Sequence, residues 1–184
     1  KLSLKMMDEW INKLWCYHYY KKRNSKWTSY AEAQVAETCC KLINAIGNNN
    51  EYHTFKREMQ TFLKWLLAVK RPSRILEVGT AVGFSAILMA EYNPTECTIT
   101  TIENYDKRIP IAKNNFCRAG KDKQITLIEG DATDVLKEME EPFDFIFMDA
   151  AKGQYINFMP DILRLKKKDG ILVSDNVLQD GDII

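Results

Sequence analysis

Asp149 and Lys152 fall in the stretch "FDFIFMDAAKGQY" at residues 143–155, where large apolar side chains run on until the aspartate breaks them off. A carboxylate and an ammonium one helical turn apart, at the mouth of a segment that otherwise reads as buried strand, are placed to handle a cation and a proton. Asp175 and Asn176 follow another apolar run, "ILVSDN", in the same way. Asp149, Asp175 and Asn176 together offer three hard oxygen donors, a set suited to Mg²⁺ or a similar divalent cation that completes its octahedron with water and substrate. Such a cation can bind two neighbouring substrate oxygens and lower the pKa of a hydroxyl. Lys152, its own pKa depressed beside the cation, can then take the proton or stabilise the anion. Taken singly, each residue has a plainer reading: Asp149 as a helix cap, Lys152 as a solvated charge, 175–176 as a turn. The gathering of all of them at one sheet edge favours the chemical reading.

The elements that must position these groups begin after Pro72. Strand, turn and helix alternate: "RILEV", "GTAVG" and "FSAILMAEY"; "CTITTIE" and "DKRIPIAKNNFCRAG"; "QITLIEG" and "DATDVLKEME"; "FDFIFMD" and "YINFMPDILRLKKKDG", a helix expected to be interrupted at Pro160; then "ILVSDN" as a fifth strand. Continuous apolar strands separated by helices indicate a mostly parallel sheet covered on both faces, a doubly wound, Rossmann-like α/β fold. Ligands in such sheets bind outside the carboxyl ends of the strands. Here every strand end carries an acid: Glu77, Glu103, Asp131, Asp149 and Asp175.

The first turn has glycines at 79 and 83 but not the full G-x-G-x-x-G of a phosphate-binding turn, and Glu77 just before it would repel a pyrophosphate. Glu103, 24 residues past Gly79, is placed to accept from both hydroxyls of a ribose. Asp131, in "EGDA", can reach an adenine edge or the neighbouring backbone. An adenosine ligand with a cationic tail and no phosphate, S-adenosylmethionine, fits these features better than NAD.

Upstream of residue 70 the pattern is helical. Val35, Cys39, Leu42 and Ile46 recur at helical spacing before "GNNN"; a second helix is expected from about Thr54 to Val69, with Phe55, Met59, Phe62, Leu63, Leu66 and Leu67 on its apolar face, ended by Arg71-Pro72. This divides the chain into an N-terminal helical segment, 1–70, on the substrate side, and an α/β core, 71–184. The opening "KLSLKMMDEWINKLWCYHYYKKRNSKW" reads as an amphipathic helix with a solvated basic turn; a patch of stacking aromatics and cations for RNA is the other reading. With 26 basic against 25 acidic side chains, binding to nucleic acid through bulk charge is disfavoured. The five cysteines show no metal-ligand spacing. No apolar stretch approaches the roughly 20 residues of a membrane span, no signal peptide is evident, and a cytoplasmic protein is expected.

Residues 72–181 resemble the cation-dependent class I O-methyltransferases, the family of catechol and caffeoyl-CoA O-methyltransferases, through "ILEVGTAVGFSAILMA", "TTIE", "EGDA", "FIFMDAAKGQY" and "ILVSDNVLQDG". The resemblance implies that Glu77, Gly79 and Ser85 hold the methionine part of S-adenosylmethionine, Glu103 its ribose, and Asp131 with Ala132 its adenine region. It implies Asp149, Asp175 and Asn176 as ligands of Mg²⁺, with Asp149 also beside the cofactor, and Lys152 as general base. It also implies two further strands beyond the fifth, which this sequence does not reach. "DAAKGQY" with "SDNVL" is most similar to the bacterial branch that includes the tRNA 5-hydroxyuridine O-methyltransferase. The expected substrate is therefore the anticodon region of tRNA, a small catechol-like phenol being the alternative, since both present a hydroxyl beside a second oxygen. A homodimer is one expectation for the assembly. A non-catalytic Rossmann-like binding module and an NAD-dependent dehydrogenase are the competing readings from other classes.

Overall fold

The computed structural model describes residues 57–150, 152–175, 178–179 and 182–183. The expected helix around Val35–Ile46, the "GNNN" loop, Phe55 and the basic aromatic opening lie outside the described residues. Within them the order is α1 (Arg57–Lys70), β1 (Arg74–Val78), α2 (Phe84–Tyr92), β2 (Thr98–Glu103), α3 (Ile109–Arg118), β3 (Ile125–Glu129), α4 (Ala132–Glu138), β4 (Phe143–Met148), a 3₁₀ turn (Lys152–Gln154), α5 (Tyr155–Leu165) and β5 (Lys166–Ser174). A short antiparallel ladder of β6 (Leu178–Gln179) and β7 (Asp182–Ile183) follows.

Strands β1 to β5 form one sheet in the order β3-β2-β1-β4-β5, every pair parallel. This is the expected Rossmann-like α/β architecture. Its strands are buried on both faces because their side chains alternate between two cores. Ile75, Ile99, Phe145, Phe147 and Val173 face one way and pack with Leu63, Leu66 and Leu67 of α1, with α2 and with Phe116 of α3. Leu76, Val78, Ile102, Ile146 and Met148 face the other way, onto Leu136 of α4 and Phe158, Ile162 and Leu165 of α5. Helix α2 is buried from Phe84 through Glu91, which explains why its sequence is apolar all round.

Three local expectations are corrected. Phe62 was counted in the buried face of α1 by its spacing but is 41% exposed and stacks on Trp65, with ring centroids 6.1 Å apart. Helix α5 passes through Pro160 without interruption. Proline there forgoes the bond to the carbonyl of Ile156, a residue on the solvent face where water can take that acceptor. The same helix stops at Leu165, and "KKKDG" belongs to β5. The register jumps from Phe143↔Lys166 to Phe145↔Ile171, so the extra residues bulge over Phe143, and a Cβ on Gly170 would meet its carbonyl oxygen at 3.0 Å. Lys167 Nζ, 2.6 Å from Asp144 Oδ1, anchors the bulge. Asp144 also accepts from the amides of Ser73 and Arg74. Burial alone would raise its carboxyl, but the hydrogen bonds from Lys167, Ser73 and Arg74 outweigh that and hold it at about 2. Among the described residues no helix is long and apolar enough to cross a membrane.

Candidate functional site

The strand order reverses between β1 and β4, and there the chain leaves β1 through "GTAVG". The amides of Gly79 and Thr80 both donate to the Ile102 carbonyl at 3.1 Å, folding the turn over β2. Gly79 has φ +102, and a Cβ on it would lie 2.3 Å from the carbonyl oxygen of Asp149. Ala81 takes φ +48, a conformation normally left to glycine. Its amide donates to Glu103 Oε2 at 2.7 Å, so the acid ending β2 secures the turn that follows β1.

Glu77 stands opposite Thr101 in the β1–β2 register and is fully buried. Ser85 Oγ donates to its Oε1, and Thr101 Oγ1 to its Oε2 at 2.5 Å. Thr80 and Thr101 share a further hydroxyl bond of 2.6 Å. Burial pushes the Glu77 carboxyl up to about 8; the two hydroxyl bonds oppose this, and the charges of Asp149 and Glu103 add to it. Glu77 is thus neutral at neutral pH and fastens α2 beneath the turn. The acids that line the cleft are Glu103 and Asp131.

That cleft, of about 210 Å³, opens at the carboxyl ends of the strands and is lined by Gly79, Glu103, Asp131, Ala150, Gln154 and Phe158. Glu103 Oε1 accepts from the amides of Asn104 and Tyr105 at 3.1 and 3.0 Å. Asp131 caps α4, accepting from the Thr133 amide at 2.8 Å; the Thr133 side chain first, and then this amide, lower its pKa. Ala132, the first residue of α4, lines the cleft beside it. Arg108 lies over the Tyr105 ring, 5.3 Å from its centroid, at the rim.

Asp149 and Asp175 leave the sheet from neighbouring strands. The Asp149 amide donates to the Val78 carbonyl and the Asp175 amide to the Met148 carbonyl, both at 2.9 Å, just beyond the last pair of the β4–β5 ladder, Met148↔Ser174. Burial, together with the charges of both aspartates, raises the pKa of Tyr155, whose hydroxyl lies between them. Lys152 opens the 3₁₀ turn after Asp149; its side chain and Asn176 lie outside the described residues. Among the described residues no group of three or more His, Cys, Asp or Glu side chains is placed to hold a metal ion.

The fold therefore brings Gly79, Glu103, Asp131, Ala132 and the backbone beside Asp149 to one crevice, while Glu77 and Ser85 lie buried beneath its edge. Sequence reasoning missed Thr80 and Thr101, which fasten Glu77, and Tyr105, Arg108 and Phe158 at the cleft. Thr101, polar at a central position of the strand "TITTIE", was the legible signal; the rim residues carried none. Tyr155 stood in the quoted motif without a role.

Comparison with known proteins agrees with this geometry. The profile of a family described as O-methyltransferase matches residues 28–184. A catechol O-methyltransferase of Niastella koreensis is 36% identical over 127 residues, covering 67% of this chain and 58% of that protein. A caffeoyl-CoA O-methyltransferase of Medicago sativa is 32% identical over 133 residues, 67% of this chain and 52% of that protein. The chain thus spans about half the length of the curated relatives it matches. Among solved structures, the O-methyltransferase of Bacillus cereus in complex with SAH superposes with a TM-score of 0.67 at 26% identity, covering 93% of this chain and 77% of that one.

Proposed function

The chain belongs to the O-methyltransferase family, and from that premise we propose that it methylates a hydroxyl of a small catechol-like substrate, with S-adenosylmethionine as donor and a divalent cation held at the ends of β4 and β5. The observation that carries this reading is the emergence of Asp149 and Asp175 side by side from paired strands, next to a cleft lined by Glu103 and Asp131. Two carboxylates at adjacent strand ends suit a hard cation. Gly79, where the Asp149 backbone leaves a side chain no room, lets the turn after β1 lie directly against the end of β4.

Bound there, the donor would supply an electrophilic sulfonium methyl and the cation would supply Lewis acidity that makes a substrate hydroxyl more acidic. The chain's residues do the rest. Glu103 accepts from the ribose hydroxyls with the lone pairs its backbone bonds leave, and Asp131 and Ala132 border the adenine. Gly79 and Ser85, braced by Glu77, form the seat of the methionine portion. Asp149 and Asp175, with Asn176, orient the cation, and Lys152 Nζ takes the hydroxyl proton.

The catechol and caffeoyl-CoA relatives support a vicinal diol as substrate. The 5-hydroxyuridine of tRNA, preferred on motif similarity, offers the same pair of oxygens but draws no support from those relatives. Localisation in the cytoplasm and a homodimer stay as proposals beside it. The test is transfer of a labelled methyl group to catechol and to tRNA bearing 5-hydroxyuridine, with Mg²⁺ and with EDTA. Transfer to catechol that EDTA abolishes is expected; transfer to the tRNA alone would overturn the substrate, and metal-independent transfer would overturn the cation.

A further inference from the structure

Where the β4–β5 ladder ends, the bond from the Asp175 amide to the Met148 carbonyl, 2.9 Å, still ties the two strands, and a side chain adds a second tie at the same point. The last paired residues are Met148 and Ser174, and beyond them Asp149 and Asp175 are like charges on neighbouring backbones, which repel when no cation lies between them. The hydroxyl of Tyr155, the first residue of α5, stands at this point. Its one proton is shared between the Met148 and Asp175 carbonyls, each 3.1 Å away. One oxygen thus links the peptide group that precedes Asp149 with the carbonyl of Asp175. The ring beneath is half-buried against the core shared by β4 and α5, so the hydroxyl is not free to follow the strand ends if they part.

We propose that Tyr155 is a positioning residue for the cation, fixing the separation of Asp149 and Asp175 through their backbones without touching the cation itself. This rests on the cation-dependent reading above and goes beyond it, since neither the donor set nor the general base requires a brace on the far side of the backbone. Outer partners that orient ligands typically carry about 10- to 100-fold of a site's metal affinity. A brace shared by two ligands belongs in that range.

The experiment is a titration with Mn²⁺, read by its paramagnetic resonance signal, of the full chain and of Tyr155→Phe, which keeps the ring and removes only the hydroxyl. Binding of S-adenosylhomocysteine without metal is followed alongside. Tyr155→Phe is expected to weaken Mn²⁺ by about tenfold or more and to leave S-adenosylhomocysteine affinity within about twofold, a split that a general loss of fold would not produce. Replacing Tyr155 by 4-aminophenylalanine, which again presents N–H donors to both carbonyls, is expected to restore the affinity. It also serves should the phenylalanine variant fail to fold. Unchanged Mn²⁺ affinity in folded Tyr155→Phe, or no recovery with the amine, overturns the role of Tyr155 while leaving the cation site standing. Absence of Mn²⁺ binding to the unsubstituted chain overturns both.

Discussion

Gly79 lies directly against the backbone of Asp149: a side chain at 79 would come within 2.3 Å of the Asp149 carbonyl oxygen and 3.2 Å of the Ala150 Cα. The turn that seats the proposed methyl donor and the strand end that seats the proposed cation are therefore in contact, with no layer of side chains between them. A sulfonium methyl and a chelated hydroxyl must approach within about 3–3.5 Å to react, and this contact sets the two sites close enough for that.

Gly79→Ala is the direct test of the contact. Alanine meets both a positive φ of 102 and the Asp149 carbonyl, so a loss of about 2 kcal/mol or more in unfolding free energy is expected. Chemical denaturation measures it. A variant as stable as the parent would show that the two turns do not touch.

Glu77 should make stability depend on pH. Its folded pKa of about 8 lies above its ordinary 4.5, so its favourable contribution is fully present below 4.5 and is lost as pH rises through 8. The expected slope is a fall of up to about 1.4 kcal/mol per pH unit across that window. Glu77→Gln, neutral at every pH, should remove this part of the dependence in thermal melts of the ligand-free protein; identical pH profiles would count against a buried neutral carboxyl.

Glu103→Gln separates two jobs of one side chain. The carboxylate secures Ala81, Asn104 and Tyr105 through their amides while lining the cleft. An amide NH₂ facing one of those N–H groups loses an acceptor where the turn needs it. S-adenosylhomocysteine affinity is expected to fall about tenfold or more, in line with roughly 1.5–3 kcal/mol for bonds to a charged group. Calorimetry reads it, and unchanged affinity would remove Glu103 from the site.

Lys152→Ala should lower kcat by about a hundredfold or more, the usual worth of a positioned base, with S-adenosylhomocysteine binding preserved. A rate that stays within about twofold of the parent would assign the proton to another acceptor.

Much of the fold is legible in the chain itself, because its signals are local. "RILEV" and "FSAILMAEY" declare strand and buried helix by their apolar runs, and the structure places them at Arg74–Val78 and Phe84–Tyr92. "EGDA" declares a cap, and Asp131 makes it. "LKKKDG" misled because helix propensity is also local, whereas its actual state depends on Asp144 and Phe143, more than twenty residues upstream, which draw Lys167 and Gly170 into a bulged strand.

Residue types at the strand ends were enough to nominate the acids, since a parallel sheet delivers every carboxyl end to one edge. Which of those acids faces solvent, and in what protonation state, was decided only in three dimensions. Glu77 and Glu103 read alike along the chain and both are buried, yet one is roofed by α2 and pushed toward its neutral form by the loss of water around it, while the other lines the cleft. Desolvation is a property of the atoms packed around a group, and only the folded chain packs them around Glu77, where the hydroxyls of Ser85 and Thr101 oppose the effect without cancelling it.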